Sequence, residues 1–172
     1  MPTMLESASD VERLVKKYKT RDPFVIAEAL GITIIPFHST VLKACYRNVM
    51  NNHMFFLCDS LCEEESKNGL GHELGHFTYH KPMARGKQGL LEYRMYDMTN
   101  QMEREANIFG AALRIDEDEL LDLIFNYGYS MSQCAKALGT SEAYVAIKID
   151  ILIAQGHDEL KAQEYDRKFW NR

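Results

Sequence analysis

The chain has 172 residues, 46% of them hydrophobic, and a formal charge of −5 from 25 acidic and 20 basic side chains. That length suits one domain, or one domain with a small appendage, and the hydrophobic fraction excludes a disordered chain. The acidic balance argues against direct nucleic-acid binding, which normally shows a basic surplus or stripe.

The N-terminal stretch MPTMLESASDVERLVKKY has no basic region followed by an apolar one, so it does not read as a secretory signal. The run from Ile147 to Ala154 is interrupted by Lys148 and Asp150 and falls short of the ~18 residues that span a bilayer. The expectation is a soluble, cytoplasmic protein without a membrane partner. Cys45, Cys58, Cys62 and Cys134 match neither a zinc knuckle nor a redox CxxC spacing, and read as reduced packing residues.

Residues 8–30 read as two helices. Ser9 or Asp10 is the expected cap of the first, and Val11, Leu14, Val15 and Tyr18 give it an apolar face. Asp22 can cap the second, with Pro23 at its first position and Gly31 as its stop. Three extended runs follow: 32–37, 41–49 and 53–58. Asn51-Asn52 is the expected turn before the last. Next comes a long helix from Ser60, where Ser60 and Glu63 form an S-x-x-E capping box, to the neighbourhood of Pro82. Residues 81–100 read as a polar connection, partly helical around LLEYRMYDM. A second helix covers 102–115, and an acidic start at 116 opens a C-terminal helical region. The division expected is a core of 1–115 and a helical region of 116–172. The fold class expected is α+β and zincin-like. A small, mostly antiparallel sheet packs on an active-site helix, and a helical subdomain follows.

The stretch GHELGHFTYH, 71–80, carries the chemistry. His72 and His76 are four apart, so on a helix they project from one side and are ~5–6 Å apart. Two imidazoles in that arrangement can share an ion. Glu73 then reaches the ion's flank, where a carboxylate can take a proton from a water on the metal. This is the H-E-x-x-H logic of a zinc peptidase. Gly71 and Gly75 sit mid-helix, where each costs roughly 1 kcal/mol relative to alanine, which points to a close partner.

A catalytic zinc needs a third protein ligand. His80 lies about 12 Å along the axis from His72, too far to join the same ion unless the helix breaks. The metzincin pattern that breaks it fails at Tyr79 and Pro82, so His80 is expected to sit outside the ligand set, as a supporting or helix-end residue. The better candidate is Glu103, in EREANIFGAAL. Ala106 and Gly110 form a bare face that could press on Gly71 and Gly75. Asn107 could hydrogen-bond the outer nitrogen of His72 or His76. Glu105 points ~200° away from Glu103 around the helix and is the weaker ligand choice.

Three stretches carry a resemblance to the ImmA/IrrE family of metallopeptidases. HELGHFTYH is similar to the family's HELGHxxLH. EREANIFGAALRI looks like its E-x-x-A-N-x-F-A-A-x-L-L-x-P. The upstream YKTRDPFVIAEALGI resembles the family's start. Gly110 stands where alanine is usual and Asp116 where proline is common. The resemblance implies a gluzincin-like zinc site of His72, His76 and Glu103, with Glu73 as base. It also implies a protein substrate, a helix-turn-helix repressor of phage or mobile-element type.

Two other readings are open. The sequestering alternative has the chain bind such a repressor without cleaving it. The DNA-binding alternative rests on QCAKALGTSEAYVAIKIDIL, 133–152, which has a helix-turn-helix pattern. Its second helix would offer Glu142, Tyr144 and Lys148 outward, with no arginine to read guanine. Packing or substrate docking is the expected role of that segment. Tyr93, Arg94 and Tyr96 lie between the two motifs, and nothing selects an oxyanion stabiliser among them.

Overall fold

The computed structural model describes residues 2–84 and 99–162, so the LLEYRMYDM stretch, Tyr93, Arg94, Tyr96 and the C-terminal tail lie outside the described residues. The first helix, α1 (Met4–Tyr18), begins earlier than its expected caps Ser9 and Asp10. Thr3 is the cap: its hydroxyl accepts the Glu6 N–H at 3.2 Å, and Glu6 Oε2 accepts the Thr3 N–H at 2.7 Å. This capping box lies ahead of the apolar face, which the added turn extends through buried Ser7 and Ala8. Asp22 caps α2 (Pro23–Ala29) by accepting the Phe24 N–H, and Gly31, at φ +71°, ends it.

Three strands follow: β1 (Thr33–Phe37), β2 (Ala44–Val49) and β3 (Asn52–Cys58). Their order is β1-β3-β2. The β2–β3 hairpin is antiparallel, but β1 pairs with β3 in parallel, so the sheet is mixed where a mostly antiparallel one was expected. The cause is topological. β1 lands on the far side of β3 from β2, and so runs with β3. The hairpin turn is Met50-Asn51, both at positive φ, with Asn52 already in the strand opposite Val49. Two left-handed residues match the type I′ turn that a tight hairpin favours.

The helix bearing the histidines is α3 (Glu63–Tyr79). Its cap is Cys62, not Ser60: Glu65 Oε2 accepts the Cys62 N–H at 3.3 Å, while Ser60 Oγ lies 3.2 Å from Cys58 Sγ. Cys45, Cys58 and Cys134 are buried thiols, whereas Cys62 is exposed, so it is a cap and not a packing residue. Helix α4 (Thr99–Arg114) runs antiparallel to α3: Gly71 meets Gly110, and Gly75 meets Ala106. The bare faces expected to touch do touch. Tyr46, Phe55, Leu70, Leu74 and Phe109 fill the core between sheet and helices. The other side of α4 is covered by α1 and by the longest of three C-terminal helices.

Those helices are α5 (Glu117–Phe125), α6 (Met131–Ala137) and α7 (Glu142–Gln155). Asp116, where the family pattern has proline, caps α5 and accepts the Arg21 Nε–H at 3.1 Å. The α6–α7 pair has the helix-turn-helix outline, with Gly139 at φ +57° in its turn. The outward face expected of α7 is not there. Tyr144 is 7% exposed and Lys148 3%, because α7 packs on α4, α6 and α1; Glu142 remains exposed. A recognition helix must project side chains into a groove, and α7 uses its side chains for packing.

The two mid-helix glycines should respond differently to a methyl group. At residue 75 a Cβ would lie 2.7 Å from Ala106 Cα, which is backbone and cannot turn aside. At residue 71 its nearest neighbours would be at 3.5 Å, an ordinary contact. Gly75→Ala should lower unfolding free energy by about 1–3 kcal/mol. Gly71→Ala should be neutral, or stabilising by up to ~1 kcal/mol from helix propensity. Denaturant unfolding of both variants checks this; equal behaviour would contradict the packing.

Candidate metal centre

The antiparallel register of α3 and α4 sets Glu103 opposite His72 and His76. His72 Nε2 lies 3.0 Å from His76 Nε2 and 3.1 Å from Glu103 Oε2, and His76 Nε2 lies 3.4 Å from Glu103 Oε1. All three ligand atoms fall within 4.8 Å of one another. Zinc bonds of ~2.0–2.1 Å in a tetrahedron require donor–donor separations of about 3.3 Å. The donor set also suits zinc: two imidazole nitrogens and one carboxylate. The residues present therefore fit the ion that the motif implies.

The outer ring atoms are held as well. His72 Nδ1 lies 2.9 Å from Asn107 Oδ1, an acceptor, so Nδ1 carries a hydrogen and Nε2 is the nitrogen that faces the cluster, able to offer a lone pair to a metal once its own proton is lost. His76 Nδ1 lies 3.0 Å from Nδ1 of His80, which stands at the C-cap of α3. His80 Nε2 in turn lies 3.0 Å from Glu105 Oε2. His80 and Glu105 therefore stand behind the cluster and not in it. Glu105 is 6% exposed, so the helix face opposite Glu103 looks into protein and not into solvent.

Burial disfavours protonated His72, but the Glu103 hydrogen bond and the charges of Glu73 and Glu103 outweigh it and move its pKa up. Burial dominates at His76 and, with the charges of His72 and His80, pushes its pKa down to about 4 against the pull of Glu103. Burial also opposes ionisation of Glu103, yet the hydrogen bond from His72 and the closeness of His76 hold it well below the usual carboxylate range. At neutral pH the cluster therefore has an ionised carboxylate and a neutral His76, both in the form a metal requires.

A cleft of about 500 Å³ opens beside the cluster. His72 and Glu73 line it from α3, Val41 and Lys43 from the approach to β2, and Tyr144 from α7. Glu73 is 2% exposed and borders this cleft, so it is buried in the fold yet at the edge of the open space. The Tyr144 hydroxyl donates to Asn68 O at 3.1 Å. A Cβ at residue 110 would come 2.4 Å from that hydroxyl. The phenol thus occupies the space that an alanine there would fill, which accounts for glycine at 110.

Sequence reasoning placed Tyr144 in solvent, and set Glu105 aside as a ligand without foreseeing its contact with His80. Neither carries a local signal, because each acquires its neighbours from an element distant in the chain.

A family model described as the IrrE N-terminal-like domain, a peptidase family, matches residues 27–150. A protein of Bacillus phage phi105, "Uncharacterized immunity region protein 2", is 29% identical over 117 residues, covering 67% of this chain and 70% of that protein.

The cluster should take up one zinc ion per chain, and His76→Ala or Glu103→Ala should abolish uptake. Zinc must displace the proton from His72, whose pKa is raised. Affinity should therefore weaken as pH falls through that titration. Metal analysis after dialysis, repeated across a pH series, checks both; pH-independent binding would contradict the second.

Proposed function

The chain belongs to the IrrE N-terminal-like peptidase family, and on that premise we propose that it is a zinc-dependent endopeptidase with His72, His76 and Glu103 as ligands and Glu73 as general base. The observation that carries the reading is the convergence of His72 Nε2, His76 Nε2 and the Glu103 carboxylate beside a cleft that His72 and Glu73 line.

Zinc, when bound, supplies Lewis acidity that polarises the scissile carbonyl and acidifies the attacking water. The chain's own residues do the rest. Glu73 takes a proton from the water as it attacks the carbonyl carbon, and returns it to the leaving amine as the C–N bond breaks. Asn107 fixes the ring of His72 so that its inner lone pair stays on the metal position. The buried setting of Glu73 and His76 limits water around the reacting atoms, which strengthens each electrostatic interaction there. The cleft between the β2 approach and α7 receives the polypeptide.

The substrate we infer is a transcriptional repressor of helix-turn-helix type, acting in the cytoplasm. The similarity to an immunity-region protein of a phage supports a partner of that kind. The packing of α7 supports a protein substrate over direct DNA reading. No helix among the described residues is long and apolar enough to cross a membrane.

Glu73→Gln should lower the cleavage rate by about 10²–10⁴-fold while leaving zinc content unchanged. The measurement is cleavage of the candidate repressor, followed on gels and by mass, beside metal analysis of the same sample. Undiminished cleavage by the variant would remove Glu73 from the mechanism. Repressor bound but not cut by the zinc-loaded wild-type chain would make it a sequestering protein.

A further inference from the structure

We propose that Glu105 is a positioning residue: acting through His80, it decides which ring nitrogen of His76 is free to face the metal position. The inference rests on the metal-centre reading above. The three side chains form one line, with His76 Nδ1 3.0 Å from His80 Nδ1 and His80 Nε2 3.0 Å from Glu105 Oε2. His76, His80 and Glu105 are 2%, 4% and 6% exposed, so each depends on the others as partners.

The bonding pattern follows from donor counting. Two ring nitrogens at 3.0 Å are hydrogen-bonded only if one bears hydrogen and the other a lone pair. A neutral His76 that turns a lone pair inward at Nε2 has its hydrogen on Nδ1. That hydrogen is donated to His80 Nδ1, which must then be bare. The hydrogen of neutral His80 is therefore on Nε2, and it is donated to the Glu105 carboxylate. Each donor has one acceptor along the line.

The reversed pattern places hydrogen on His80 Nδ1, bare nitrogen on His76 Nδ1, and the His76 hydrogen on Nε2. That hydrogen would point into the metal position. It would also set the bare Nε2 of His80 against a carboxylate oxygen, lone pair against lone pair. Glu105 thus selects the pattern that leaves His76 able to bind. Gln101 Nε2 donates to the other oxygen, Glu105 Oε1, at 3.2 Å and holds the carboxylate in place.

The two ligand histidines are oriented in different ways from the same helix. Asn107 acts on His72 directly, and Glu105 acts on His76 with one ring between them. One short stretch of α4 therefore carries the Glu103 ligand and both orienting groups.

Two variants and a spectrum test this. Glu105→Leu removes the acceptor, and Glu105→Gln keeps a carbonyl oxygen that can accept. Zinc affinity is measured by chelator competition, and ring ¹⁵N shifts report the histidine tautomers of wild-type protein with and without zinc. Expected are hydrogen on Nε2 of His80 and on Nδ1 of His76 in both states. Zinc affinity should fall by about 10–100-fold in Glu105→Leu and stay nearer wild type in Glu105→Gln. Equal loss in both variants, or loss in neither, overturns the proposal, as does hydrogen on Nδ1 of His80 in the wild type. If Glu105→Leu does not fold, the wild-type spectra and the His80 tautomer in Glu105→Gln decide. Zinc bound with these tautomers but no peptide cleaved would overturn the peptidase reading and leave this one intact. No zinc bound by the wild type would overturn the metal reading, and the metal-free spectra would then judge this one.

Discussion

The close approach of α3 and α4 at Gly75 is the constraint on which the rest depends. No side chain separates the two helices there: Ala106 Cα and O lie 2.7 and 3.0 Å from where a Cβ of residue 75 would be. A larger residue would force the axes apart. Glu103 sits on the same antiparallel register, 3.1 Å from His72 and 3.4 Å from His76. Side-chain rotation alone cannot recover an ångström of helix separation for both contacts at once. The glycine is unfavourable for an isolated helix, and the tertiary contact justifies it.

That close packing places polar groups where water does not reach them freely. Glu73, His76, His80 and Glu105 are buried. Unpaired, such groups would be costly to the fold. Helix α4 offsets much of this, since its Asn107 and Glu105 meet His72 and His80. Tyr79, at the end of α3, donates its hydroxyl hydrogen to Asp10 of α1 at 3.0 Å, which ties the same region to the first helix. The site is thus an integral part of the core and not a set of residues laid on its surface.

The helix-turn-helix outline in the C-terminal half illustrates the difference between a pattern and a use. Two helices and a glycine turn form as the spacing implies. Their second member then packs into the molecule, with Val145, Ile151 and Leu152 fully buried. Tyr144 passes from that helix to the cleft wall and hydrogen-bonds the backbone of α3. Gly110 on α4 is the counterpart of that phenol. The C-terminal region therefore shapes the space beside His72 and Glu73.

The sequence by itself determined what short-range rules control. The i, i+4 spacing put His72 and His76 on one side of a helix, bare faces at Gly71/Gly75 and Ala106/Gly110 implied a helix pair, and Asp22 and Gly31 bounded α2. The caps of α1 and α3 were misplaced. Thr3 and Cys62 start their helices, because which of several candidate residues caps a helix depends on how far the apolar face extends once it is packed. Tertiary structure alone decided the rest. The parallel pairing of β1 with β3 depends on which edge of β3 the chain reaches. The burial of Tyr144 and Lys148 depends on α1 and α4. The line from Glu105 through His80 to His76 joins residues on two helices. A helical repeat fixes the direction of a side chain, but what it meets there is set by contacts between segments far apart in the chain.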